Sequence, residues 1–66
     1  MTLGMSIRNR RRDMNLTQKE LAAQLYITPG MLCMIERGYR EPSWSVIVGL
    51  IRLFGIDVIA DAVVDG

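Results

Sequence analysis

Leu16-Thr17-Gln18-Lys19-Glu20-Leu21-Ala22-Ala23-Gln24-Leu25-Tyr26-Ile27-Thr28-Pro29-Gly30-Met31-Leu32-Cys33-Met34-Ile35-Glu36-Arg37 contains two short helical patterns separated by a tight connection. Thr17 opens the first pattern. Its hydroxyl can accept from the Glu20 amide while the Glu20 carboxylate reaches back to the Thr17 amide, the reciprocal arrangement of a capping box. Leu21, Ala22 and Leu25 follow as an inward stripe, and Ala22 is small enough to let another helix cross closely. Tyr26 and Ile27 form the connection, with Ile27 buried. Thr28 caps the second pattern and Pro29 takes its first helical position, where the fixed φ is pre-organised and the missing donor costs nothing. Leu32 and Ile35 point inward, and Gly38 supplies the left-handed residue expected after the helix end at Arg37.

Outward from this pair, the spacing of Leu3, Ile7 and Met14 predicts an earlier helix from Leu3 or Gly4 to Asp13 or Met14. Arg8 and Arg12 lie on its outer side. Asn15 suits the left-handed residue that ends it, the role Asn fills where Gly is absent. Pro42 and Ser43 open a fourth helix through Phe54, and Gly55 closes it. Trp44, Ile47, Val48, Leu50, Ile51 and Phe54 give that helix more apolar surface than one inward stripe requires. The last segment, Ile56 to Asp65, reads in two ways. As a helix, with Asp57 as N-cap, it sets Asp57, Asp61 and Asp65 on one face opposite Val58, Ile59, Ala62 and Val63. As a strand, its β-branched residues would suit pairing with the same segment of a second chain. The helical reading is the better supported, which makes the chain all-α with five helices.

A chain of 66 residues is expected to form one small domain, residues 1–66, and at this size a core buries only about 60% of the surface the unfolded chain exposes. Help from a partner is therefore expected. The one cysteine, Cys33, allows no internal disulfide, and with no histidine the chain lacks the usual ligands of a zinc site. These features predict a reduced, cytoplasmic protein without metal, cofactor or small-molecule ligand. The apolar stretches Val46–Leu50 and Val58–Val64 are far short of the roughly 20 residues a membrane span needs, and polar residues follow the arginine cluster where a signal peptide would be apolar. Catalysis finds no histidine, no Gly-rich phosphate loop and no paired carboxylates on an apolar cleft. Cys33 alone reads as an inert small side chain, because reactivity needs a lowered pKa.

Net charge is only +1, but it is unevenly spread. Arg8, Arg10, Arg11, Arg12, Lys19, Arg37 and Arg40 outweigh Asp13, Glu20 and Glu36 in the first two thirds. Beyond them, Arg52 stands against Glu41, Asp57, Asp61 and Asp65. A basic half carrying a helix-turn-helix layout is what a protein that touches a polyanion with one face would show, and the second helix of such a unit can enter a DNA major groove. Solvated helix faces would account for the charge alone equally well.

Three words at fixed spacing sharpen this: Leu16-Thr17-Gln18-Lys19-Glu20-Leu21-Ala22, Ile35-Glu36-Arg37-Gly38 and Glu41-Pro42-Ser43. With them the chain resembles, from Ile7 to Ile56, the lambda-repressor-like DNA-binding domains of the Xre and Cro type. The resemblance implies a compact five-helix fold and a double-stranded DNA partner. It implies that Gln18 donates to a backbone phosphate, a role its place at a helix N-terminus supports independently. It also implies that Arg11 and Glu36 form a largely buried structural ion pair, whose breakage would cost about 3 to 5 kcal/mol. Thr17, Lys19, Thr28, Cys33 and Arg37 join Gln18 in the expected DNA surface, and Tyr39, Arg40 and Ser43 are expected to hold phosphates across the groove, fixing register without reading sequence.

The chain departs from the family where bases are read. The positions that are usually polar there hold Pro29, Gly30 and Met34, so the second motif helix offers almost none of the bidentate donors that discriminate bases. Either Pro29, Met31 and Met34 meet thymine methyls, with Gly30 allowing close backbone approach and preference coming largely from DNA shape, or this adaptable Met-rich face binds a protein partner. Tyr26 stands where the family commonly has Gly, and a slightly altered turn is expected there. Arg10 replaces a commonly apolar residue.

These features predict a homodimeric DNA-binding transcriptional regulator, by resemblance a repressor. The alternative is a protein-interaction module of antitoxin or antirepressor type. Dimerisation is expected from a surplus of apolar residues, Val46, Leu53, Val58, Ile59, Ala62, Val63 and Val64, with residues 55–66 as the dimerisation segment. Two motif helices about 34 Å apart would then match successive major grooves.

Overall fold

Helix α1 (Leu3–Asp13) begins at Thr2, whose hydroxyl accepts from the Met5 amide at 3.2 Å. It ends with Arg10, Arg11 and Arg12 in its last turn, where cations meet the negative end of the helix dipole. The computed structural model describes residues 2–60. Helix α2 (Gln18–Leu25) has the reciprocal cap read from the sequence: Glu20 N donates to Thr17 Oγ1 at 3.0 Å and Thr17 N to Glu20 Oε1 at 2.9 Å. Helix α3 (Pro29–Glu36) starts at Thr28, which accepts from the Met31 amide at 3.1 Å. Helix α4 (Trp44–Phe54) starts at Ser43 and stops at Gly55, φ 85°. Residues 57–60 are helical again, α5, so the described part of the last segment takes the helical reading, not the strand. No strand occurs among the described residues.

The first three helices end in the same way. After each, one residue turns left-handed and two amides reach back to the last carbonyls, closing groups a helix end would otherwise leave unpaired. Asn15 (φ 57°) does this for α1, with Leu16 N donating to Arg11 O; Tyr26 (φ 58°) for α2, with Ile27 N donating to Ala22 O; and Gly38 (φ 81°) for α3, with Tyr39 N donating to Met34 O. The altered turn expected at Tyr26 is therefore not found. Tyr26 adopts the left-handed conformation itself, because the two closing bonds and the packing of Ile27 against the core outweigh the local steric cost.

Ile7, Leu21, Ala22, Leu25, Leu32, Ile35, Val46, Leu50 and Val58 form the buried core, and α3 rests on both α2 and α1 while α4 packs on α2. At the α1–α3 crossing Gly4 is required by contact: a methyl there would overlap the Ile35 and Glu36 carbonyl oxygens. Ser6, also buried, donates from Oγ to the Val58 carbonyl at 2.7 Å and ties α1 to α5.

Three expectations are corrected here. Met14 is half exposed instead of inward, because the chain leaves the helix at that residue. Val46 and Val58, taken as surplus for an interface, are core residues of the protomer, since α4 and α5 turn these positions toward α1 and α2. Leu53 and Ile59 are partly buried and pack against that core. Asp57 lies in the first turn of α5 instead of capping it: the Ile56 carbonyl accepts the first turn's bond, from Ala60 N at 3.1 Å. The carboxylate still sits at the positive end of the helix. Ala62, Val63 and Val64 lie outside the described residues.

Candidate nucleic-acid interface

Helix α3 buries Leu32, Ile35 and Glu36 and presents Gly30, Met34 and Arg37 to solvent, with Cys33 half-buried at the edge of that face. What holds it in place is a polar network beneath it. Arg11 grips Glu36 with two parallel bonds, Nε to Oε2 at 2.8 Å and Nη2 to Oε1 at 3.1 Å, and its remaining nitrogen donates to the Leu16 carbonyl at 2.9 Å. The fork geometry of guanidinium and carboxylate makes this pair specific in angle as well as distance. Gln18 adds a third link: Nε2 donates to Glu36 Oε1 at 3.1 Å. α1, the start of α2 and the end of α3 are thus locked by one buried carboxylate, and no buried side-chain polar atom among the described residues lacks a partner.

The expected phosphate-facing hydroxyls are on the surface. Thr17, Thr28 and Ser43 are exposed and each serves as an N-cap, accepting a backbone amide. Capping uses an oxygen lone pair, so the hydroxyl proton of Thr28 remains to donate outward, whereas the Thr17 hydroxyl also bonds to the Glu20 carboxyl. Ser43 Oγ is hydrogen-bonded to Ser45 Oγ, 3.1 Å away, and either hydroxyl can be the donor. Lys19, Arg37 and Arg40 are exposed, and Tyr39 is 75% exposed in the loop after α3. Gln18 is half-buried and its amide spends one N–H on Glu36, leaving the second for an outside acceptor.

The recognition face divides. Pro29, Gly30 and Met34 are exposed, and a methyl built on Gly30 would meet nothing within 4 Å, so packing does not demand glycine there. Met31, expected among the contacts, is half-buried and packs in part against the core.

Sequence reasoning left out one feature. Arg8 and Arg12 of α1, taken only as outward-facing, line a concavity together with Arg11, Gln18, Cys33, Glu36 and Arg37. The signal was available: the two arginines are four apart, and neither has an acidic residue three or four positions away.

The sequence profile of the family described as helix-turn-helix matches residues 7–59, most of the chain. This chain belongs to the helix-turn-helix family. Two solved structures are similar to it, both crystal structures of the clp gene regulator ClgR from Corynebacterium glutamicum. One superposes with a TM-score of 0.84 at 32% identity, covering 96% of this chain and 70% of that one. The other gives 0.81 at 32% identity, covering 96% of this chain and 86% of that one. No curated protein matches the sequence significantly. In this helix-turn-helix chain the motif proper is α2 and α3, which pack on each other directly and are joined by the Gln18–Glu36 bond, while Arg11 ties α3 to α1. No helix among the described residues is long and apolar enough to cross a membrane, and no cluster of three or more His, Cys, Asp or Glu there could hold a metal.

Proposed function

We propose that the chain binds double-stranded DNA as a homodimeric transcriptional regulator, with α3 in the major groove and the hydroxyls and cations around it on the phosphates. The observation that carries this is the solvent face of α3, tied to α1 by the Arg11–Glu36 pair, with exposed Thr17, Lys19 and Thr28 and half-buried Gln18 before it in the chain and exposed Tyr39, Arg40 and Ser43 after it. Membership of the helix-turn-helix family and the likeness to ClgR, a gene regulator, support the same reading. The role is non-enzymatic. Repression is the proposed outcome, since it requires only that an operator be occupied. With Met31 half-buried against the core, thymine-methyl contact falls mainly to the exposed Pro29 and Met34, and most of the affinity comes from phosphates and DNA shape.

Mobility-shift titration of duplex fragments over a range of salt tests the assignment. Arg40→Ala should weaken binding to all sequences alike and flatten the slope of log Kobs against log salt by about one unit. An unchanged slope removes Arg40 from the footprint.

The exposed apolar face of Gly30 and Met34 favours a second reading, in which α3 fits a groove on a protein partner. Met34→Lys separates the two. It should strengthen DNA binding if that face meets the duplex, and abolish co-purification of a partner if it meets a protein.

A further inference from the structure

We infer that α1 carries a binding site for one phosphodiester of the DNA backbone, formed by Arg8 and Arg12 with Arg37 and the amide of Gln18, so that the footprint extends beyond the two motif helices. The inference rests on the DNA-binding reading above and adds a site to it.

Four guanidinium groups, those of Arg8, Arg11, Arg12 and Arg37, surround one concavity whose only carboxylate is Glu36. That carboxylate is not available to neutralise them, because both of its oxygens are held by Arg11. Arg8, Arg12 and Arg37 are exposed and have no ion-pair partner among the described residues. Arg8 and Arg12 also stand at i and i+4 of one helix, where like charges repel. A fold that keeps this repulsion where several cations converge presents a site for an anion. Planar forked donors select an oxyanion with several acceptor oxygens, which a phosphodiester supplies. The recess abuts the face of α3: Cys33 and Arg37 belong to both. A duplex seated on α3 therefore brings one strand's backbone alongside α1. Gln18 fits the same geometry, since the N–H not given to Glu36 is free to donate to that phosphate.

The test compares wild type with Arg8→Ala, Arg12→Ala and Arg52→Ala on a short random-sequence duplex across a salt series, each variant first checked for helix content. Arg52 is an exposed cation on α4 that lines a different recess, and controls for loss of charge alone. The expected result is that Arg8→Ala and Arg12→Ala each weaken binding about tenfold at low salt and flatten the salt slope by about one unit, while Arg52→Ala leaves the slope unchanged. Wild-type slopes for both α1 variants, with binding intact, would overturn this site and leave the DNA reading standing. Equal flattening by all three would also overturn it, by showing a diffuse field in place of a site. A wild-type protein that binds no duplex overturns both proposals. In a second arm inorganic phosphate is titrated alone. Phosphate binding to the wild type in the absence of DNA, lost in Arg8→Ala and Arg12→Ala while both variants keep the wild-type salt slope with duplex, would assign the recess to a free anion instead of the backbone.

Discussion

Tyr26 is the residue whose conformation departs furthest from its type. A left-handed backbone costs a non-glycine residue roughly 1–2 kcal/mol, and a side chain 95% exposed has few contacts with which to offset that. Asn15 sits at nearly the same φ, but Asn tolerates the region and carries little strain. Tyr26→Gly should therefore raise stability by up to about 1 kcal/mol, the net of roughly 1–2 of relieved strain and the 0.4–1 or so that glycine returns as unfolded-state entropy. Asn15→Gly should change it by no more than a few tenths. Urea midpoints at constant m measure both, and a midpoint that fell for Tyr26→Gly would show that the ring makes contacts worth more than the strain. That a residue at this position must turn left was legible from the motif. That tyrosine would comply was not, because the deciding terms, the two closing amides and the packing of Ile27, belong to the neighbouring helices and not to the residue.

Among the elements, the helix starts were the most legible part of the chain, since a cap is a local bargain between residues three apart: Thr17 with Glu20, Thr28 with Met31, Ser43 with Val46. The Thr17–Glu20 cap has a pH signature. The Thr17 amide, and then its hydroxyl, hold the Glu20 carboxyl below its ordinary value of 4.5. A depressed folded value means the stabilisation is complete above the unfolded pKa and is lost as pH falls through the folded one. The stability difference between wild type and Glu20→Gln should thus be constant above about pH 5 and shrink below it, and a difference that grew in acid would reverse the assignment. Helix crossings were not legible, because they join residues far apart in sequence. Gly4 gave no local sign of its importance, yet it is where α1 touches the α3 backbone. Gly4→Ala should destabilise by about 1–3 kcal/mol through overpacking, lowering the melting temperature in spite of alanine's better helix propensity. An unchanged or higher melting temperature would mean that α1 can slide away from α3 without loss. The Arg8–Arg12 recess belongs to the same class: the charges were visible in the sequence, but their convergence with Arg37 required the packing of α1 on α3.

At the scale of the whole molecule the question is what the C-terminal segment does once Val46 and Val58 are known to serve the protomer's own core. Helix α4 is apolar nearly all the way round, interrupted only by Ser45 and Arg52 toward solvent, and Trp44 and Ile56 remain 75% and 66% exposed. A helix with that pattern in so small a chain points to a partner surface. A second copy is the partner that also explains function: one α3 with few base-reading groups gains little alone, whereas two linked modules bind with an avidity that exceeds either by about 10²–10⁴. Ile56 lies in the proposed dimerisation segment and outside the core, so Ile56→Asp should leave the fold intact while placing a charge in the interface. Sedimentation velocity should then show monomers where wild type shows dimers. Binding to a two-site duplex should drop toward the affinity of a single half-site. A variant that stays dimeric would move the contact away from Ile56. A wild type that sediments as a monomer at every concentration, yet binds DNA, would mean that each protomer acts alone and that phosphate contacts suffice for whatever occupancy the protein achieves.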